Sequence, residues 1–181
     1  VADVVVDPAA AIVGVRSFGS DPGLVARHVA AYVEGLQSAG VAACAKHFPG
    51  HGEAVGDSHL ELPVAETDLE TLRVRALPPF AAAVEVGARA LMTAHVRFTA
   101  LDHEAATLSR PWIELLRSEL GFEGVVMTDA LEMQGAGGPA GVEESAVQAL
   151  AVGTDALCLG ADLSPEQVEG AHGAIVDAVR A

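Results

Sequence analysis

Apolar runs and helical patterns alternate along this chain. "VADVVV", Val1–Val6, reads as a buried strand, and a loop with Pro8, Gly14 and Gly19 follows it. "DPGLVARHVAAYVEGLQSAG" opens on Asp21 as an N-cap with Pro22 behind it and stops at Gly40, which predicts a helix. "VAACAKH" is the next strand. In "TDLETLRVRALPPFAAAVEVG", Thr67 with Glu70 three residues on has the pattern of a capping box. The helix it predicts breaks or steps sideways near Pro78–Pro79. "ARALMTAHV" predicts a strand, and "SRPWIELLRSELG" a helix begun by Ser109 and stopped by Gly121. "EGVVMTDAL" is a strand and "GVEESAVQALAVG" a helix. "TDALCLG" is the last strand and "SPEQVEGAHGAIVDAVRA" the last helix.

That makes five β-α units in succession. The strands are short and near-continuously apolar, without alternation, as in a parallel sheet buried on both faces. An open doubly wound sheet and a (β/α)8 TIM-type barrel both fit. No G-x-G-x-x-G follows the first strand, which weakens the dinucleotide-binding form of the open sheet. Polar residues gather after the strand ends: Asp7, Lys46–His59, His95–Arg97, Thr128–Asp129 and Gly160–Asp162. In both architectures that edge carries the active site. On the barrel reading the chain is a single partial catalytic domain over 1–181, with three units missing.

Composition narrows this only at a few points. The length of 181 residues suits one domain. Hydrophobic residues make up 51% and aromatics only 4%, so Ala, Val and Leu must build the core. The net charge of −15 argues against nucleic acid as a partner and fits a solubilising acidic surface. No apolar run reaches the ~20 residues that span a bilayer, and no N-terminal segment reads as a signal peptide. Cys44 and Cys158 lie inside apolar runs, which predicts buried thiols rather than a disulfide or a metal pair.

The candidate chemistry concentrates in "KHFPGHGEAVGDSHLELP", Lys46–Pro63. It holds three of the seven histidines and the only lysine, among glycines and prolines that suit neither helix nor strand. Asp57 and His59 are two residues apart. A carboxylate there can accept a hydrogen bond from one imidazole nitrogen, fix the tautomer and make the other nitrogen a general acid/base; a solvated loop ion pair fits the same spacing. Lys46 and His47 directly follow a strand and can donate to hydroxyls, and Arg16 in "GVRSFG" can join them. Asp129 ends the apolar strand "GVVMTDAL", where a carboxylate is costly unless it faces a polar cleft. It is either a cap for the next segment or an ionised group aimed into a pocket, as nucleophile or metal ligand. His47, His51, Asp57 and His59 could also ligate a metal. However, H-x3-H needs a helix to align both rings, and "HFPGH" cannot be one. No metal or other cofactor is expected.

"KHFPGHG" with "DSH", then "MTDAL" about seventy residues later, resembles the family 3 glycoside hydrolases, and within them the β-N-acetylglucosaminidase branch. "GVRSFG" and "AVQALAVGTDALCLG" are similar to the same family, and the likeness runs over nearly the whole chain. The resemblance implies a (β/α)8 barrel of which the chain covers roughly the third through seventh units. It implies that Asp129 is the catalytic nucleophile, His59 the acid/base and Asp57 its dyad partner, with Arg16, Lys46 and His47 binding sugar hydroxyls. The implied activity is retaining, exo-acting release of terminal N-acetylglucosamine from peptidoglycan-derived or chitin-type saccharides. The implied partner is thus a carbohydrate. A phosphorylase with the same dyad, a metal-dependent barrel hydrolase and an inactive barrel fragment are the competing readings.

Overall fold

The structure, a computed structural model, describes residues 1–6, 12–138 and 140–181. Asp7 and Pro8, both picked out by the sequence pattern, lie outside the described residues. The strands are β1 (Cys44–Phe48), β2 (Val64–Ala65), β3 (Ala90–Thr93), β4 (Arg97–Phe98), β5 (Val125–Ala130) and β6 (Ala156–Cys158). The helices are α1 (Pro22–Ser38), α2 (Leu69–Arg75), α3 (Pro78–Glu85), α4 (Arg110–Glu114), α5 (Val142–Val152) and α6 (Pro165–Arg180). A π-helical turn, Leu115–Glu119, continues α4.

The main sheet is parallel throughout, in the order β1-β3-β5-β6, and β2 pairs with β4 in a small parallel sheet beside it. Parallel neighbours joined through helices are the βα repeat expected of a barrel wall. The fold is α/β of TIM-barrel type and covers about five β-α units.

One face of the sheet is covered by helices. Ala45, Leu91 and Val126 point into a core with Val25, Val29, Phe80, Trp112 and Leu116. Phe48 sits edge-on to Phe80 and Trp112, and Phe98 edge-on to Trp112, so four of the seven aromatics meet at one place. A second cluster of Leu131, Ala136, Val142, Ala146 and Ala171 holds α5 and α6 beside β6. Residues of the opposite parity, such as Cys44, Met92, Val125 and Met127, lie on the uncovered face, which in a barrel is the inner one. This corrects the expectation of buried thiols: Cys44 is exposed and Cys158 half-buried. An apolar run fixes neither which face of its strand a residue occupies nor what covers that face.

Three local expectations also change. Val1–Val6 forms no ladder. It runs beside β1, held by Ala2 N–H to the Lys46 carbonyl at 2.6 Å and Val5 N–H to Gly19 at 3.1 Å. The cap of α2 is Asp68, whose carboxylate accepts the Thr71 N–H at 2.9 Å, in place of Thr67. An Asp cap competes directly with a Thr one position earlier, and the carboxylate is the stronger acceptor. Ser109 stands at the N-cap of α4 but does not cap it; its hydroxyl donates to Asp102 Oδ2 at 2.6 Å. Elsewhere the local signals hold. Asp21 caps α1, the chain breaks between α2 and α3 ahead of Pro78, and Ser164 with Gln167 forms a capping box on α6.

Candidate active site

The site grows from the C-terminal ends of β1 and β5. The β1–β3 register shifts between Lys46 and Phe48, so His47 has no partner in the ladder. An irregularity of this kind re-aims a side chain at the end of a strand. The peptide bonds Lys46–His47 and Phe48–Pro49 are cis. The ladder partner that His47 lacks is replaced by Asp3. Both oxygens of that carboxylate accept the His47 backbone N–H at 3.2 Å.

Asp3 is fully buried, and it organises this corner of the molecule. Its Oδ2 accepts from His47 Nδ1 at 2.8 Å and its Oδ1 from the His51 N–H at 2.7 Å. Burial pushes its carboxyl up, but the hydrogen bonds from the His47 ring and backbone leave it below the usual carboxylate range. Asp3 thus stays ionised and holds His47 with Nδ1 inward. The other ring nitrogen, Nε2, then faces Asp129 Oδ2 at 3.6 Å. Nothing in the local sequence marks this role except the oddity of an Asp inside an apolar run, "VADVVV".

Asp129 lies at the end of β5 with its side chain 19% exposed. Its Oδ1 accepts the Ala130 N–H at 2.9 Å. The strand around it is fixed by buried polar groups. Thr128 Oγ1 accepts the Cys158 N–H at 2.8 Å. His95 donates from Nε2 to the Ala130 carbonyl at 3.0 Å, while its Nδ1 lies 2.9 Å from the Thr107 hydroxyl. Burial lowers the His95 pKa, so the ring is neutral, and its partners fix the tautomer: Nδ1 accepts from Thr107.

Asp57 and His59 form the pair that their spacing suggested. Asp57 Oδ1 accepts from His59 Nδ1 at 2.7 Å and from the His59 backbone N–H at 2.9 Å. Those two hydrogen bonds hold the Asp57 carboxyl below its ordinary range. The side chains are 64% (His59) and 45% (Asp57) exposed, and His59 Nε2 takes no protein partner among the described residues. The residue between them, Ser58, is 2% exposed. The loop is therefore pinned at Ser58, between two outward-facing members of the pair.

The same loop is tied down at its start. Gly52 packs on the N-terminal segment, where a Cβ would overlap the Val4 carbonyl. Glu53 pairs with Arg75 of α2 and accepts from Thr67 Oγ1 at 3.1 Å.

Lys46 and Arg16 line a cleft of about 390 Å³ between β1, α1 and Val1–Ala2. Lys46 has the parity of Cys44 on the uncovered face, and its charge and that of Asp129 both act on the Cys44 and Cys158 thiols. The Arg16 guanidinium folds back on its own turn, donating to the Ile12 carbonyl at 2.6 Å. The structure thus joins His47 to Asp129 and Asp57 to His59, and leaves Arg16 outside both pairs. His47 and His51 meet edge to face, their ring centroids 5.8 Å apart. His47 directs its ring nitrogens to Asp3 and Asp129, and His51 its Nε2 to Ser58. Among the described residues no three His, Cys, Asp or Glu side chains converge on one point.

Known proteins share this arrangement of elements. A β-hexosaminidase of Thiobacillus denitrificans is 41% identical over 148 residues, covering 81% of this chain and 41% of the relative. A solved family 3 β-N-acetylglucosaminidase from Paenibacillus sp. str. FPU-7 superposes with a TM-score of 0.94 at 44% identity. That match covers 99% of this chain and 34% of the other. Native NagZ from Neisseria gonorrhoeae superposes with a TM-score of 0.81 at 36% identity, over 93% of this chain and 48% of its own. The chain spans less than half the length of these proteins. Residues 1–178 match the Glycosyl hydrolase family 3 N terminal domain, and the chain belongs to that family.

Proposed function

We propose that this chain carries the catalytic and sugar-binding groups of a retaining, exo-acting β-N-acetylglucosaminidase, as a partial barrel domain over residues 1–181. Asp129 is the nucleophile and His59, oriented by Asp57, the acid/base. His47, Lys46 and Arg16 bind the hydroxyls of the terminal sugar. The observation that supports it most is the pair of strand-end groups, Asp129 Oδ2 facing His47 Nε2 at 3.6 Å, beside a loop that presents an Asp-His pair outward.

The reaction follows from these groups. The Asp129 carboxylate attacks the anomeric carbon and the bond to the leaving oxygen breaks. His59 Nε2 gives its proton to that oxygen, and the product is a glycosyl ester on Asp129. In the second step neutral His59 takes a proton from water, the hydroxyl bonds to the same carbon, and the ester to Asp129 breaks. Two displacements on one carbon retain its configuration. Asp57 holds Nδ1, leaving Nε2 as the nitrogen that moves the proton. An imidazole titrates near 6.5 unperturbed, so it can donate near neutral pH with little tuning, whereas a glutamate near 4.3 must be raised by ~2–3 units.

The names of the relatives support a β-linked N-acetylhexosamine as the unit released. Saccharides derived from peptidoglycan or chitin are the substrates we assign. The test is turnover of an aryl N-acetyl-β-glucosaminide by Asp129→Ala in the intact protein. Loss of turnover by about 10³-fold or more is expected from removal of a nucleophile. Turnover near that of the unmodified protein would sink the assignment.

A further inference from the structure

We propose that Ser58 is the positioning residue of the acid/base pair: a buried pin that fastens the Asp57–His59 segment to the His51 turn and to the loop that follows Asp129. The inference rests on the roles given above to His59 and Asp129.

Three observations carry it. First, Ser58 is 2% exposed while its neighbours on both sides project outward, so the segment is anchored at its middle residue alone. Second, both polar groups of Ser58 are used inward. Its hydroxyl lies 3.1 Å from His51 Nε2, and its carbonyl accepts the Gly135 N–H at 2.9 Å. Third, each partner is itself fixed. The His51 N–H is held by Asp3 Oδ1, the carboxylate that also orients His47. Gly135 stands six residues after Asp129, in the Gln134–Ala136 turn. A Cβ on Gly135 would come within 2.8 Å of His95 Cβ and 2.9 Å of the His95 carbonyl. The approach of the two loops therefore requires glycine. His95 in turn holds the Ala130 carbonyl, next to Asp129.

The result is a closed circuit. Asp129 faces His47, His47 is bound to Asp3, Asp3 to His51, and His51 to Ser58. Ser58 returns through Gly135 to the segment that follows Asp129. The nucleophile and the proton donor are set on one buried polar frame, although they belong to different βα loops. His51 Nδ1 is buried with no partner, so Nε2 to Ser58 is the ring's only side-chain hydrogen bond among the described residues. Burial lowers the pKa of His51, which keeps the ring neutral. Removing the Ser58 hydroxyl then leaves the Gly135 N–H to the Ser58 carbonyl as the hydrogen bond from Ser58 to its buried partners.

The experiment compares aryl N-acetyl-β-glucosaminides with poor and good leaving groups, in the intact protein, for Ser58→Ala and for His59→Ala. A poor leaving group needs the proton from His59; a dinitrophenolate does not. Displacing a reacting group by an ångström costs on the order of 10²-fold. Ser58→Ala should therefore lower kcat/KM about 10- to 100-fold on the poor leaving group and no more than about threefold on the good one. An equal loss on both substrates, or none on either, overturns the positioning role. If His59→Ala is selective and Ser58→Ala is not, the Ser58 inference alone fails. If His59→Ala is itself unselective, the acid/base reading fails and Ser58 falls with it. His51→Leu, which removes the ring partner, should reproduce the selective loss. His51→Gln, whose amide can reach the Nε2 position, should restore at least half of the logarithmic loss. This pair decides the matter if Ser58→Ala does not fold, and equal behaviour of the two overturns the proposal.

Discussion

Replacing Asp3 by alanine exposes how much rests on one buried carboxylate. In the native structure it accepts from His47 Nδ1 at 2.8 Å, from the His51 N–H at 2.7 Å, and from the His47 N–H, shared between its oxygens at 3.2 Å. Alanine leaves three buried donors without an acceptor. Each orphaned donor costs about 1–3 kcal/mol. The donors are neighbours and share their relaxation, so a combined loss of about 3–5 kcal/mol is expected rather than the full sum. At about 2–4 °C per kcal/mol for a chain of this size, the melting temperature should fall by roughly 6–20 °C. Asp3→Asn keeps one acceptor and should lose about 1–3 kcal/mol. Urea unfolding at neutral pH measures both. The folded carboxyl is held below its unfolded value near 3.9, so its contribution is complete above that value and fades as pH falls through the folded pKa. The gap between the unmodified protein and Asp3→Asn should stay level from about pH 8 to 5 and narrow only below about pH 4. An Asp3→Ala protein within about 0.5 kcal/mol of the original would refute the network as described.

Other outcomes follow from the same geometry. His59→Ala should slow poor leaving groups by about 10²–10⁴-fold and spare activated ones, read from a series of aryl glycosides. His51 and His95 are buried and held neutral, their pKa values lowered chiefly by burial. The unfolded chain therefore binds more protons below about pH 6.5, and stability should decline from that pH downward. Thermal melts across pH 8 to 5 would show it, and His95→Gln should flatten the slope; an unchanged slope contradicts the buried neutral ring. Gly52→Ala drives a Cβ into the Val4 carbonyl, which a backbone atom cannot easily escape. It should cost more than about 2 kcal/mol by urea titration, whereas Gly35→Ala, in open space on α1, should be neutral or slightly stabilising.

The legible parts of the fold were those settled by neighbours in sequence. Asp21 with Pro22, Pro78 after a helical run, and Gly153 closing α5 each act within one turn. Parallel pairing was implied by the βα alternation, since it needs a crossover each time, but the order β1-β3-β5-β6 was not, because the open sheet and the barrel arrange the same units differently. What eluded the pattern depends on distant partners. Val1–Val6 has strand composition yet only isolated backbone contacts to its neighbours. Thr67 and Asp68 carry the same cap signal one residue apart, and only the geometry at Thr71 chooses between them. Cys44 looked buried because "VAACA" is apolar, and it is exposed because helices cover the other face. At the site, the Asp57–His59 spacing was readable because the contact is local. Asp3 was not, because its partners lie 44 and 48 residues on. His51 had no role in the sequence once a metal site was set aside, because its partner Ser58 is recognisable only from the folded loop. The loop's glycines read only as breakers of helix and strand, yet Gly52 serves close packing against the N-terminal segment.

The claim on which the rest depends is that Asp129 forms a covalent bond to the sugar. A fluorinated N-acetyl-β-glucosaminyl donor with a good leaving group slows release of the intermediate and lets it accumulate. Mass spectrometry of the intact protein, then of its peptides, locates the adduct. We predict one added fluoro-N-acetylhexosaminyl residue, the donor less its leaving group, carried on the peptide containing Asp129 and absent in Asp129→Ala. An adduct on another residue, or rapid turnover with no covalent species and inverted configuration in the product, would contradict the account.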